Sequence, residues 1–319
     1  MASICSCSGA LANFGIQNCD PALGNPAKLV LIPREKDDGT LSGVDTASVG
    51  YGTQLPQATF DAAFNAQLQN DRWFIIDRIK GFEPISADDD VAEWKDGTKT
   101  KLRDGMRGVK MTIYVNNPYS WARKFNKVRC SNMTAMWISD NGSLLGEADG
   151  TYLRGRRISE GSISAKVIPQ NSDDKIAPNI ELTIDYDRQS GDEKVDYIDA
   201  SDMDVDLLTT YNPLIDVDIE FATSTQTSAT FEIFEEVGGM GRRLSVDGMT
   251  TAELEIYNET DSAAITPSGL TQDATTKVYT ATYASQDVSD VIHVRGVSGN
   301  NVQGSLDFKL ATATNATIV

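Results

Sequence analysis

One imidazole, four thiols and a dense set of carboxylates are the side chains in this 319-residue chain that could do chemistry. His293, the single histidine, sits in Val-Ile-His-Val-Arg, a strand pattern. A lone imidazole has no second histidine for a zinc site, and no nucleophile and acid at recognisable spacing for a triad. Cys5, Cys7 and Cys19 could supply three thiolates to zinc or an iron–sulfur cluster, with Cys130 as a fourth. Their spacing is not the paired two-residue gap of such sites, so they are weak candidates and no metal or other cofactor is expected. Asp202, Asp204 and Asp206 invite a calcium loop, but Leu207 stands where that loop needs glycine. A looser calcium cluster with Asp199 or Asp216 is a second reading, and an acidic solvated face is the plainer one. Gly238-Gly239-Met240-Gly241-Arg242-Arg243 lacks the Lys-Ser/Thr ending of a phosphate loop. Abundant acids permit glycoside chemistry without locating it. The expectation is a structural protein, not an enzyme.

The elements that would carry these residues are mostly strands. Residues 1–27 are Gly/Ser/Asn/Pro-rich and read as an N-terminal arm, followed by an apolar strand at Lys28–Arg34. Pro56–Asn70 gives the best helix signal, with Thr59 as cap and Phe60, Ala63, Phe64 and Leu68 at helical spacing. Strands are expected at Arg72–Ile79, Lys99–Asp104, Gly108–Val115 and Asn132–Ser139, with a turn-rich acidic loop over Glu83–Asp96. A short helix is expected over Tyr119–Asn126 and a tight turn at Asp140-Asn141-Gly142-Ser143. Arg156–Ile168 and Ile180–Asp187 form a second alternating pair. Val195–Thr210 is open between helix and strand. In Leu214–Phe221, Asp216, Asp218 and Glu220 fall on one face and apolar groups on the other. Gly238–Gly241 reads as a linker. Past it, short evenly spaced strands at Leu254–Tyr257, Val278–Tyr283, Val291–Val297 and Leu306–Leu310 resemble a small immunoglobulin-like sandwich. The expected divisions are therefore 1–27, 28–237 and 243–319.

Hydrophobic residues make up 40% of the chain, enough for a sizeable core. No run approaches the roughly 20 apolar residues of a membrane span. The N-terminus lacks the basic start and apolar stretch of a secretion signal, so synthesis in a cytoplasm is expected. A formal charge of −18 argues against binding duplex DNA by neutralising phosphates. That charge is uneven. Residues 71–170 carry 17 Lys+Arg against 13 Asp+Glu, whereas residues 171–230 carry 3 against 15. The basic runs Arg123–Arg129 and Arg154–Arg157 therefore read as subunit-contact surfaces rather than nucleic-acid sites.

The order from Lys28 to Phe221 comprises an arm, a strand, a long loop, a helix, then antiparallel strands with a long hairpin and an acidic segment. That order, with Asp71-Arg72-Trp73-Phe74-Ile75-Ile76 through Asp140-Asn141-Gly142, resembles bacteriophage tail tube proteins, some of which carry an immunoglobulin-like domain outside the tube. The resemblance implies a mainly β fold: a tube-like antiparallel barrel or sandwich plus the appended sandwich. It implies a virion tail location and six subunits joining their sheets into a ring, which removes unpaired edges. It also implies stacked rings, tape-measure and connector proteins as further partners, and DNA passing through without specific binding. Asp216, Asp218 and Glu220 would line the lumen and repel that DNA. The rival expectations are another virion component, such as a capsid or head–tail connector protein, and a cell-surface β-sandwich adhesin.

Overall fold

The computed structural model describes residues 24–47, 53–66, 71–103, 105–115, 117–129, 131–169, 178–213, 215–236, 243–296, 301–303, 307–310 and 316–319. The chain is mainly β, built from antiparallel sheets with a half-barrel curl. It divides into two compact units, Met1–Asn212 and Pro213–Val319.

The first unit is organised around two strands, β1 (Pro26–Pro33) and β8 (Met133–Ser139), which pair antiparallel from Lys28↔Ile138 to Pro33↔Met133. Both are buried on both faces, which is why their sequences are nearly continuous apolar runs rather than alternating ones. The exceptions are bonded: Thr134 Oγ1 donates to the Ile32 carbonyl at 3.1 Å, and Lys28 Nζ donates to the carbonyls of Leu208 and Tyr211 at 2.6 and 2.7 Å. Their sheet continues through β9 (Leu144–Asp149), β10 (Tyr152–Arg154) and β2 (Val44–Asp45) on one side and β3 (Phe74–Ile76) on the other. The expected turn before β9 is present, with Gly142 at φ 88°.

Each face of this central sheet has its own core. Leu29, Leu31, Ala135 and Trp137 pack against a second sheet in the order β12 (Ser164–Ile168), β13 (Asn179–Asp185), β7 (Arg107–Tyr114), β4 (Ile79–Ser86). Val109, Met111 and Ile113 alternate as expected, facing Ile184, Leu182 and Ile180 in register. Helix α2 (Pro118–Val128) adds Phe125 to this core; the Asn117 side chain accepts from Ser120 N and Pro118 opens the helix. On the opposite face, Val30, Ile32, Met136 and Ile138 meet Phe60 and Phe64 of helix α1 (Gln57–Phe64) and Ile198, Met203, Leu207 and Tyr211. The ambiguous 195–210 stretch resolves into strand β14 (Val195–Ile198) on β9, a 3-10 turn at Ala200–Asp202 and the four-residue α3 (Leu207–Thr210).

Several expectations change. The first helix ends at Phe64 and starts from Pro56, so Thr59 lies inside it rather than capping it. The strand expected at 72–79 breaks at Asp77–Arg78, where Arg78 turns through φ 59° and carries the chain from the central sheet to β4 in the second. Arg156–Arg157 separates from 164–168 as β11 and pairs with β8. The acidic loop over 83–96 is mostly strand: β4 continues to Ser86, and β5 (Asp90–Glu93) pairs with β6 (Lys99–Arg103).

The second unit is a two-sheet sandwich. One sheet runs β20 (Gly269–Gln272), β21 (Tyr279–Thr282), β16 (Ser228–Glu236), β15 (Ile215–Ser224), then β24 (Asp307–Leu310) and β23 (Asn301–Gln303), with β17 (Arg243–Ser245) on β16. The other runs β19 (Ala263–Ile265), β18 (Leu254–Asn258), β22 (Val291–Gly296), β25 (Ala316–Thr317). With the short strands β17, β23 and β24 set aside and the others lettered in chain order from β15 as A, the sheets read D-E-B-A against C′-C-F-G, the immunoglobulin-like arrangement. Strands A and B precede residue 237. The boundary therefore falls at 212/213, not at the glycine cluster, because Val217, Ile219, Phe231 and Ile233 fill the core that Leu254, Ile256, Tyr279, Ile292 and Val294 close. Gly238–Gly241 lies outside the described residues.

Candidate assembly surface

Residues 79–114 of the first unit form a long hairpin arm. Its inner part is β4 on β7; its outer part is β5 on β6, closed by a turn in which Gly97 takes φ 85° and Trp94 N donates to the Thr98 carbonyl. Gly81, at φ 71°, lies at the irregularity in register between Lys80 and Phe82, where an added residue on one strand forces a bulge. Phe82 there meets the edge of Trp137, ring centroids 5.2 Å apart. Along β4 beyond Ile79 and over β5 the arm is almost entirely solvent-facing. It nevertheless displays apolar groups: Trp94 is 61% exposed, with Val91, Met106 and Phe82 also open. They are spread along the hairpin, from Phe82 at the bulge to Trp94 at the outer turn, and are the apolar groups an assembly contact would cover.

A polar network holds the arm's base. Arg107 of β7 bonds the Ala87 carbonyl at 2.9 Å and approaches Asp89 at 3.5 Å and Asp192 at 3.4 Å. Asp192 also accepts from Arg156 Nη2 at 3.1 Å, and the Arg156 guanidinium lies 4.1 Å over the Tyr186 ring. Behind it, the Ser190 hydroxyl donates to the buried Glu147 carboxylate. Burial pushes the Glu147 carboxyl above its ordinary value, against the lowering effect of Ser190, Arg156 and Lys194. Tyr186 accepts from Trp137 Nε1 at 2.9 Å, and burial pushes its hydroxyl up to about 12. The network ties arm, central sheet and the 187–194 loop together, so the arm is held rather than hinged.

Two further surfaces differ in sign. Helix α2 turns Pro118, Ala122 and Phe125 inward and leaves Tyr119, Arg123, Lys124 and Lys127 exposed. No acid occurs between Asp104 and Asp140 in the sequence, so the helix cations have no acidic neighbour along the chain. Conversely, no Lys or Arg occurs between Lys194 and Arg242. In the first unit this acid-only stretch sets out Asp196, Asp199, Asp202, Asp204 and Asp206. Asp206 is used as the cap of α3, accepting from Leu208 N and Thr209 Oγ1 at 2.9 and 2.8 Å. Burial and the neighbouring Asp199 charge push the Asp202 carboxyl up.

The remaining residues singled out from sequence divide as follows. His293, on β22, places Nδ1 2.9 Å from Glu259, with its ring 5.2 Å from that of Tyr257; burial lowers its pKa despite that carboxylate. It is a packed strand residue. Cys5, Cys7, Cys19 and Cys130 lie outside the described residues. Among those described, no group of three or more His, Cys, Asp or Glu side chains is placed to hold a metal. The Arg154–Arg157 run is engaged internally: Arg154 pairs with Asp149 at 2.6 Å and bonds the Leu41 and Ser42 carbonyls, and Arg157 bonds Gln189. Asp216, Asp218 and Glu220 lie on β15, in the second unit, with Asp218 and Glu220 exposed. Glu220 pairs with Arg243, whose guanidinium reaches Glu232 at 3.6 Å and covers the Phe234 ring. The arm escaped sequence reading; Trp94 and Val91 among charged residues were its one available signal.

No helix among the described residues is long and apolar enough to cross a membrane. No protein-family model, no curated protein and no solved structure matches the chain.

Proposed function

We propose that the chain is a structural subunit that self-assembles into stacked rings, as the wall of a phage-tail-like tube, with the immunoglobulin-like unit as an appended domain. The arm carries this reading: a two-part hairpin, pinned at its base by Arg107 and Asp192, presents Trp94, Val91 and Met106 to water. Covering them needs another surface, and in a protein that works by assembly that surface is another copy. The four-stranded sheet supports it, since β12 and β4 each have one ladder partner among the described residues and offer edges for joining. The three acids first assigned to the lumen belong to the appended unit, so the wall and its lining are sought in residues before 213.

Negative-stain microscopy of the purified full-length chain tests the reading. Rings or tubes of uniform diameter are expected, and Trp94→Ser with Val91→Ser should abolish them while leaving thermal unfolding unchanged. A monodisperse monomer at high concentration would overturn it. Shells in place of tubes would favour a capsid role. The immunoglobulin-like strand order also suits a surface adhesin, and monomers that bind cells would favour that.

A further inference from the structure

We infer that the cationic face of α2 docks on the aspartate face of residues 196–204 of a second copy, giving a head-to-tail contact; this rests on the assembly role proposed above. The two surfaces are opposite in sign, and among the described residues Arg123, Lys127, Asp196 and Asp204 enter no ion pair. Arg123 and Lys127, one helical turn apart and both exposed, have no acid partner among the described residues. Tyr119 stands beside them 60% exposed, an aromatic contact group of the kind enriched at interfaces. On the other side, Asp196 and Asp204 are exposed, and burial, with the neighbouring Asp199 charge, pushes the Asp202 carboxyl up.

The surfaces cannot satisfy one another within a copy. α2 packs through Phe125, Trp121 and Val128 on the core between the two sheets. Met203 and Leu207 pack on the other face of the central sheet, across β1 and β8. A whole layer of protein separates them. Two different, complementary patches on opposite faces make a heterologous contact, which propagates head to tail and closes into a ring when the rotation permits. Lys28, drawn toward Asp206 beneath the aspartate face, is the nearest internal cation, but its amine is committed to the Leu208 and Tyr211 carbonyls.

Charge exchange in the full-length chain tests the contact. Arg123→Glu with Lys127→Glu should raise the concentration needed for assembly by about tenfold or more, since close interfacial charge pairs couple by more than 1 kcal/mol. Asp196→Lys with Asp204→Lys should do the same. A chain carrying all four reversals should assemble with itself, and the two half-reversed chains, inert alone, should co-assemble in alternation. The neutral pair Arg123→Gln with Lys127→Gln, weakened but not rescued by the lysine variant, guards against a folding defect in the glutamate variant; thermal melts check each protein. Assembly of every variant at the wild-type concentration would overturn this contact and leave the tube reading standing. Loss in the fourfold variant equal to that in the half-reversed ones would overturn it too. Absence of wild-type assembly would overturn both.

Discussion

A fragment starting at Arg243 should not fold, whereas one starting at Pro213 should. The shorter fragment lacks β15 and β16, and with them Val217, Ile219, Ala229, Phe231 and Ile233, all buried in the sandwich core. Burying each of the four larger side chains contributes about 1.5–3 kcal/mol, so roughly 6–12 kcal/mol of apolar burial is removed. That is comparable to the whole net stability of an ordinary domain, about 5–15 kcal/mol. The ladder suffers as well, because β21 pairs with β16 from Ser228↔Thr282 to Phe231↔Tyr279 and becomes an edge without it. Tyr279, fully buried and stacked 5.9 Å from Phe231, would open to water. Circular dichroism with thermal melting, supported by amide-proton dispersion in NMR, distinguishes the outcomes. A cooperative melt and dispersed spectrum for 213–319, and neither for 243–319, is expected. A cooperatively folded 243–319 would refute the assignment of strands A and B and restore the boundary at the glycine cluster.

Three further outcomes follow from buried ionisable groups. Because the Glu147 pKa is raised, the folded state holds its proton longer than the unfolded one, and stability falls as pH rises through that window. Glu147→Gln should therefore melt higher than wild type at pH 7, with the difference shrinking as pH drops into the carboxylate range. Lys28→Met should destabilise the first unit by about 1–3 kcal/mol in urea titrations, since the Leu208 and Tyr211 carbonyls lose their donor; unchanged stability would show that burial of the amine cancels its bonds. His293 has a lowered pKa, so the unfolded state takes up the proton first and stability of the second unit drops as pH falls through the ordinary imidazole range. His293→Gln should flatten that drop in melts recorded from pH 7 to 5.

Legibility tracked solvent contrast. Where a strand has one buried face, as in Val109–Ile113 or Ile180–Ile184, the period of two was plain, and where both faces are buried, as in β1 and β8, the apolar run was equally plain. The arm has neither contrast. Glu83 to Glu93 is wet on nearly every side, so its residues read as part of an acidic loop although most pair in register with β7 and β6. The unit boundary was illegible for a different reason. β15 alternates in the same way whichever core it faces, and a glycine cluster is a stronger local signal than strand count. The strand pairings show which core it fills. Charge segregation was visible in the residue counts. That α2 and the aspartates lie on opposite faces of one sheet was not, because it depends on how Phe125 and Met203 pack.

Placing the boundary at 212/213 also divides the acid run in two, and the halves behave differently. The first unit carries 23 Lys+Arg against 31 Asp+Glu, the second 5 against 15 in half the length. On β15 and β16, Glu220 and Glu232 share Arg243, so part of that face is neutralised within its own sheet. Among the described residues the 196–206 aspartates have no such arginine, and the relief seen there comes from caps, backbone bonds and Lys28 beneath. Net negative charge repels copies over distances comparable to the Debye length, about 8 Å at physiological salt, whereas a contact pair acts within about 4 Å and is screened less. A uniformly acidic subunit would therefore resist assembly at every approach. A subunit that carries a cationic helix face and, on its opposite side, a patch of aspartates can be repelled at a distance and held on contact. That permits association in one orientation and disfavours the rest.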